Sequence, residues 1–345
     1  MSSEKYGQGK KDISIILAIR NEEQYIHKCL DSLINQNFAH QRYEIIVIDG
    51  MSDDNTRKII TEYQVRFSDL VRMFDNHKRI QAAGRNIGIE HARGEMIVIF
   101  DGHSYTHGEY LNTLIKISCA LPSDVAGFGG VFLAPEDETL FGKIMADVQS
   151  SIVGGAGASF RHRTKNTYVA HVQFATYRKN IIEKIGLYDE RFVIAEDVEF
   201  NRRIIKAGFK LMICPEIKVF YYRKHNAFRS FSVRMFRYGM WKALLVKKQP
   251  GAFKILFAIP TILLLSIILL PAFLFFHSVL SEIIITSLMI YLLAVLISSL
   301  FLVTRRRDRR YVISFPMYII EHLSIGAGFL VGFFRNIGKK ESLVQ

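Results

Sequence analysis

Two long stretches without a charged residue dominate the C-terminal third of this chain. Residues 255–276 and 283–303 contain no Asp, Glu, Lys or Arg. At about 1.5 Å of rise per helical residue, each is long enough to cross a hydrocarbon core of about 30 Å. A buried core helix rarely shows two such stretches back to back, so they read as a transmembrane hairpin. Pro260 and Pro271 would kink the first span, which neighbouring helices accommodate. Residues 305–310 hold five arginines, and Lys242, Lys247, Lys248 and Lys254 precede the first span. Basic flanks mark the cytoplasmic side, and the loop 277–282 between the spans carries no Lys or Arg.

A third stretch, 311–334, contains Pro316, the polar pair Glu321-His322, and Gly326, Gly328 and Gly332. Basic residues flank both of its ends, so it reads either as a third span or as a re-entrant or interfacial segment. Ionisable groups at membrane depth hint at function, or pair inside a helix bundle. Residues 1–12 are polar and Lys-rich, without the apolar core of a signal peptide. The N-terminal part is therefore expected on the cytoplasmic side of the inner membrane.

The formal charge of +13 is unevenly spread. Residues 1–233 hold 31 Lys and Arg against 28 Asp and Glu; residues 234–345 hold 14 against 4. The surplus therefore sits in the most hydrophobic part, which argues for a membrane surface and against nucleic acid. Half of the residues are hydrophobic, which excludes disorder. Cys29, Cys119 and Cys214 lack the spacing of a zinc site or redox motif.

Within the first two thirds, 13–19, 43–48 and 96–100 are short apolar runs rich in β-branched residues, separated by helical periodicity over 22–35 and 57–67. This alternation predicts an α/β unit with a largely parallel sheet. Ligands bind such sheets at the carboxyl ends of the strands. The three runs end in Arg20-Asn21-Glu22, Asp49 and Asp101-Gly-His103.

These residues resemble family 2 glycosyltransferases of the GT-A (Rossmann-like) fold. Ala18-Ile-Arg-Asn-Glu22 with Ile48-Asp-Gly-Met-Ser-Asp-Asp-Asn-Thr56 is similar to the opening of that family. Ala82-Ala-Gly-Arg-Asn-Ile-Gly88 resembles its A-R-N-x-G segment, and Glu196-Asp197 leading to Gly208 resembles its E-D…R-x-x-x-x-G block. Asp101-Gly-His103, Ala195-Glu-Asp-Val-Glu199 and Tyr238-Gly-Met-Trp-Lys242 point to the membrane-bound subgroup typified by the succinoglycan glucosyltransferase ExoA. The expected organisation is a GT-A nucleotide-sugar-binding domain over 1–225, an amphipathic interfacial helix over 226–250, and a membrane domain over 251–345.

The resemblance implies a UDP-sugar donor whose nucleotide is held by Ala18, Arg20, Glu22, Asp49, Asp54, Arg85 and Asp101. Asp54 reads equally as the N-cap of the helix that follows it. Asp101 and His103 are expected to hold a divalent cation, Mn²⁺ or Mg²⁺, with histidine favouring Mn²⁺; an incidental strand-end turn is the alternative. Asp197 takes the place of the catalytic base, and clustering with Glu196 and Glu199 is expected to raise its basicity. Glu199 reads as the bystander.

Contacts to the acceptor or to the diphosphate fall to Glu196, Arg161, Arg163, Arg234, Arg237 and Trp241. Gly127–Gly130 and Gly154–Gly157 are expected to supply backbone freedom near the site. The implied activity is inverting transfer of a hexose to a polyprenyl-diphosphate-linked glycan in cell-surface polysaccharide synthesis. Arg234-Met-Phe-Arg-Tyr238 is an altered Q-x-x-R-W, which leaves a processive synthase as the alternative. A non-catalytic membrane scaffold on the same fold is the second.

Overall fold

The computed structural model describes residues 11–155, 164–193, 195–224, 227–248, 255–276 and 279–334. The chain divides into two compact units, one of residues up to 135 and from 160 to 222, the other of residues 136–159 and those from 223 onward.

The first unit begins with β1 (Lys11–Ile19), α1 (Ile26–Ile34), β2 (Tyr43–Asp49), α2 (Thr56–Arg66), β3 (Val71–Asp75), α3 (Gln81–His91) and β4 (Gly94–Phe100). After β5 (Ser104–Tyr105), α4 (Tyr110–Ala120) and β6 (Val125–Leu133), the chain leaves for α5 (Leu140–Ser150) and α6 (Ile152–Gly155) of the second unit. It returns through β7 (Thr167–Val169), β8 (Thr176–Arg178), α7 (Lys179–Ile185), α8 (Glu196–Lys206) and β9 (Lys210–Tyr221).

The sheet has the order β3-β2-β1-β4-β8-β6-β9-β5, with β7 beside β9. Its first four strands are parallel, as expected. The rest is mixed: β8 is antiparallel to β4 and β6, and β5 and β7 are antiparallel to β9. β3 escaped the sequence reading because Arg72 interrupts its apolar pattern and the strand lies on the sheet edge, half-buried. Gly127–Gly130 lies inside β6, so it serves the strand and not a loop.

Alternation along β1 builds both faces. Ile15 and Leu17 join Leu30 and Leu33 of α1, while Ile16 joins Ile46, Ile48 and Ile89 of α3. Parallel register aligns Ile19 with Asp49 and Asp49 with Asp75, so the polar residues after β1 and β2 emerge at one edge. Helix α3 lies close on the sheet because it presents Gly84 and Gly88. A β-carbon at Gly88 would stand 2.4 Å from Ile16 Cγ2.

The second unit contains α5, α6, α9 (Phe228–Lys248), α10 (Ile259–Phe275), α11 (Val279–Arg306) and α12 (Ser314–Phe334). Among the described residues, three helical stretches are long and apolar enough to cross a membrane: Ile255–Phe275, Val279–Arg306 and Arg309–Phe334. The segment over 311–334 is one of them. α10 and α11 expose Ile262, Ile268, Leu293 and Leu300, side chains that only lipid would cover without cost.

α9 was expected to lie along the headgroups. It has a buried face of Phe231, Met235, Met240, Leu244 and Leu245, and packs along α12. Small residues bring the two backbones together. A β-carbon at Gly328 would stand 1.9 Å from the Phe236 carbonyl oxygen, and one at Gly332 would stand 2.3 Å from that of Met240. Arg306, from the basic cluster, makes a bidentate pair with Asp147 of α5, with both contacts at 2.7 Å. His322 Nε2 donates to the Val153 carbonyl at 3.0 Å, and its Nδ1 lies 3.0 Å from Tyr291 Oη.

Replacing Gly328 with Leu forces α9 and α12 apart and is expected to cost roughly 1–3 kcal/mol or more. Thermal unfolding of the detergent-solubilised chain should show a lower midpoint; an unchanged one would mean the crossing reseats freely.

Candidate active site

At the carboxyl ends of β1 and β4 a cavity of about 250 Å³ is lined by Ala18, Ile19, Arg20, Glu22, Gly50, Asn76, Arg79, Ile80, Gln81, Asp101, Gly102 and His103. Five residues singled out from sequence meet here: Ala18, Arg20, Glu22, Asp101 and His103. Asn76, Arg79 and Gln81 were missed, since they follow the unrecognised β3. Asn21, Met51 and Arg79 adopt left-handed backbone with φ of 54°, 57° and 59°. Such conformations cost energy and persist where the surroundings hold them, often at sites of function.

Glu22 Oε1 lies 2.9 Å from His103 Nδ1. Burial opposes a charged ring, but Tyr221, the Glu22 hydrogen bond and the Glu22 and Asp101 charges outweigh it and lift His103 to about 9. That preference for a proton holds without a metal; a divalent cation at Nε2 would take the proton's place.

Three of the expected nucleotide residues, Asp49, Asp54 and Arg85, stand back from the cavity lining. Asp49 is fully buried at the end of β2; Ser52 Oγ donates to it at 2.5 Å and Arg57 Nη1 at 3.0 Å. Arg57 also reaches Asp75 at 2.7 Å, so it ties the ends of β2 and β3. Asp54 accepts from the Thr56 backbone N–H at 2.9 Å and from that of Glu23 at 3.2 Å. Its carboxylate thus satisfies the first N–H of α2 and pins the loop after β1, while the N-cap position itself is Asn55.

Behind the cavity, Arg85 of α3 donates to Glu196 of α8 at 2.7 Å, and both are buried. The guanidinium also sits 5.3 Å from the Tyr188 ring centre. Burial pushes the Glu196 carboxyl up, against the pull of Arg85 and with the help of the Asp197 charge. Gln81 links this pair to the cavity: its amide oxygen accepts from Arg85 Nη2 at 3.1 Å and its nitrogen donates to Glu196 Oε1 at 3.3 Å. Asp197 follows in the first turn of α8, where the helix dipole stabilises negative charge. Its Oδ1 accepts from the Val198 N–H at 2.8 Å and its Oδ2 faces His171 Nε2 at 3.4 Å. Glu199 is engaged by Arg203 at 3.1 Å, in keeping with a structural part.

Arg161 and Arg163 lie outside the described residues. Arg234, Arg237 and Trp241 are half-buried on α9 of the second unit.

The donor set at the cavity fits a divalent cation. Asp101 supplies a carboxylate, and Glu22 grips Nδ1 of His103, which leaves Nε2 as the ligating atom. A carboxylate behind a histidine in this way is the usual outer support of a metal-bound imidazole. Among the described residues no group of three such side chains converges; Asp101 and His103 would supply two ligands, and the remaining positions would fall to substrate oxygens and water.

Residues 14–186 match the family described as "Glycosyl transferase family 2". Over 327 residues the chain is 32% identical to a dolichyl N-acetyl-alpha-D-glucosaminyl phosphate 3-beta-D-2,3-diacetamido-2,3-dideoxy-beta-D-glucuronosyltransferase of Methanococcus voltae, covering 93% of this chain and 96% of that one. It belongs to glycosyl transferase family 2. The chain is also 26% identical to the succinoglycan biosynthesis protein ExoA of Rhizobium meliloti, over 66% of this chain and 68% of that protein. A mannosyltransferase of Pyrobaculum calidifontis, solved with GDP-Man and Mn²⁺, superposes with a TM-score of 0.59 at 16% identity, covering 95% of this chain and 88% of that one. That likeness is one of fold, and the fold is GT-A. The motifs read from sequence thus belong to a family 2 glycosyltransferase.

Glu196→Gln keeps the shape of the buried pair but leaves Arg85 without its counter-charge. Loss of roughly 3–5 kcal/mol is expected, seen as a lower unfolding midpoint, whereas Glu199→Gln should cost less because the Arg203 partner is half-exposed.

Proposed function

We propose that this family 2 glycosyltransferase moves a hexose, with inversion, from a UDP-sugar to a lipid-linked glycan carried on a polyprenyl phosphate or diphosphate. The observation that carries the reading is the placement of Asp101, His103, Arg20 and Arg79 around one cavity, with Asp197 in the first turn of α8. Arg20 and Arg79 suit a diphosphate, and Ala18 and Gly50 leave room for a nucleotide beside them. A divalent cation held by Asp101 and His103 would add positive charge at the diphosphate as the leaving group accumulates negative charge.

The chain's own residues do the rest. The acceptor hydroxyl oxygen forms a bond to the anomeric carbon while the bond from that carbon to the diphosphate oxygen breaks. UDP leaves with the bonding pair, and Asp197 takes the hydroxyl proton. The Arg85–Glu196 pair holds α3 against α8 so that donor pocket and base keep their spacing.

A lipid-linked acceptor is supported by the three membrane-length helices and by the name of the Methanococcus voltae relative, which acts on a dolichyl-linked sugar phosphate. The basic flanks of the helices support a catalytic unit on the cytoplasmic side of the membrane, with the GT-A unit, α9 and the membrane helices as its three parts. Arg234, Arg237 and Trp241 remain candidates for the acceptor, as do Arg161 and Arg163.

Asp197→Asn should fold and bind UDP as the parent does, yet transfer sugar at least about 100-fold more slowly. Calorimetry with UDP and a transfer assay on a polyprenyl-phosphate-linked sugar read the two halves; retained transfer would remove Asp197 as the base. Asp101→Asn should weaken UDP binding in the presence of Mn²⁺ more than in its absence.

A further inference from the structure

His171 lies between β7 and β8 and belongs to none of the family motifs read from the sequence. Its ring bridges two residues of one helix: Asn201 Nδ2 is 2.7 Å from Nδ1, and Asp197 Oδ2 is 3.4 Å from Nε2. Asp197 and Asn201 stand four apart on α8, so both occupy one face of the helix.

The hydrogen bonds around Asn201 decide which ring nitrogen carries the proton. The Asn201 amide is fully buried. Its Oδ1 accepts from Tyr177 Oη at 2.7 Å, and its Nδ2 donates to the Val172 carbonyl at 2.9 Å. A carbonyl only accepts, so the amide nitrogen is fixed on that side, and its second hydrogen points at His171 Nδ1. Nδ1 must then present a lone pair, which places the ring proton on Nε2, facing Asp197. Accepting a second proton would require breaking the Asn201 bond, so this ring is a poor destination for a proton leaving the acceptor.

We propose that His171 is a positioning residue for Asp197. Locked by Asn201, which Tyr177 holds in turn, the ring turns Nε2 toward Oδ2 at 3.4 Å, while the Val198 N–H holds Oδ1. The carboxylate is thereby oriented, ready to take a proton with its remaining lone pairs. Small displacements of a base are costly to rate. The inference rests on Asp197 as the base.

The test compares His171→Ala, His171→Gln and Asp197→Asn in the full-length chain, each checked for parental UDP affinity by calorimetry. His171→Ala should lower kcat about 100-fold with donor KM unchanged. His171→Gln sets an amide N–H near the place of Nε2 and should recover most of the rate.

Parental kcat in His171→Ala, beside an inactive Asp197→Asn, would overturn the positioning role and leave the base in place. A slower His171→Ala with no recovery in His171→Gln would show a structural part only, and would overturn the proposal too. Active Asp197→Asn would remove the base, and the proposal with it.

Discussion

The buried ion pair between Arg85 and Glu196 joins parts of the chain 111 residues apart, and the geometry of the catalytic unit depends on it. Two charges out of water are tolerable only when each meets the other and further polar partners. Here Gln81 and the Tyr188 ring supply them. The pair fixes the N-terminus of α8 against α3, and α3 is itself seated on β1 and β2 through Gly84 and Gly88. Asp197 inherits its place from that chain of contacts. The short acidic block of the family motif thus holds a buried ion-pair partner, Glu196, beside Asp197, whose carboxylate meets the Val198 N–H and faces His171.

The second unit obeys a different rule. With no water to drive helices together, close backbone approach does the work that burial does in the first unit. Gly328 and Gly332 let α12 meet α9 at distances no larger residue permits, and Arg306 ties α11 to α5 through Asp147. Part of the basic cluster read as a membrane-facing signal is thus spent inside the protein. The segment 136–159, continuous in sequence with the catalytic unit, folds with these helices. Its α5 and α6 pack with α12 and provide the carbonyl that His322 meets.

Much of this was legible from the chain. Strands β1, β2 and β4 are short β-branched runs whose alternate residues feed two cores, and the uncharged helices advertise their solvent. β3 was not legible, because an edge strand with Arg72 in the middle has no period-two pattern. Losing β3 also hid Asn76, Arg79 and Gln81, which follow it into the cavity. Local chemistry could not rank Asp49 or Asp54 either. Both sit in the family motif, yet Ser52 and Arg57 hold the first and backbone amides hold the second.

The sequence by itself determined the fold class, the family, the membrane-length helices and the cavity residues that lie within a few positions of a strand end. Short-range pattern carries all of these, since strand ends and uncharged stretches are contiguous in the chain. Tertiary structure alone decided that Glu196 pairs with Arg85, that Glu22 meets His103, and that His171 lies between Asn201 and Asp197. Those depend on partners tens to more than a hundred residues away, and on the one orientation of a buried amide that leaves no polar atom without its complement.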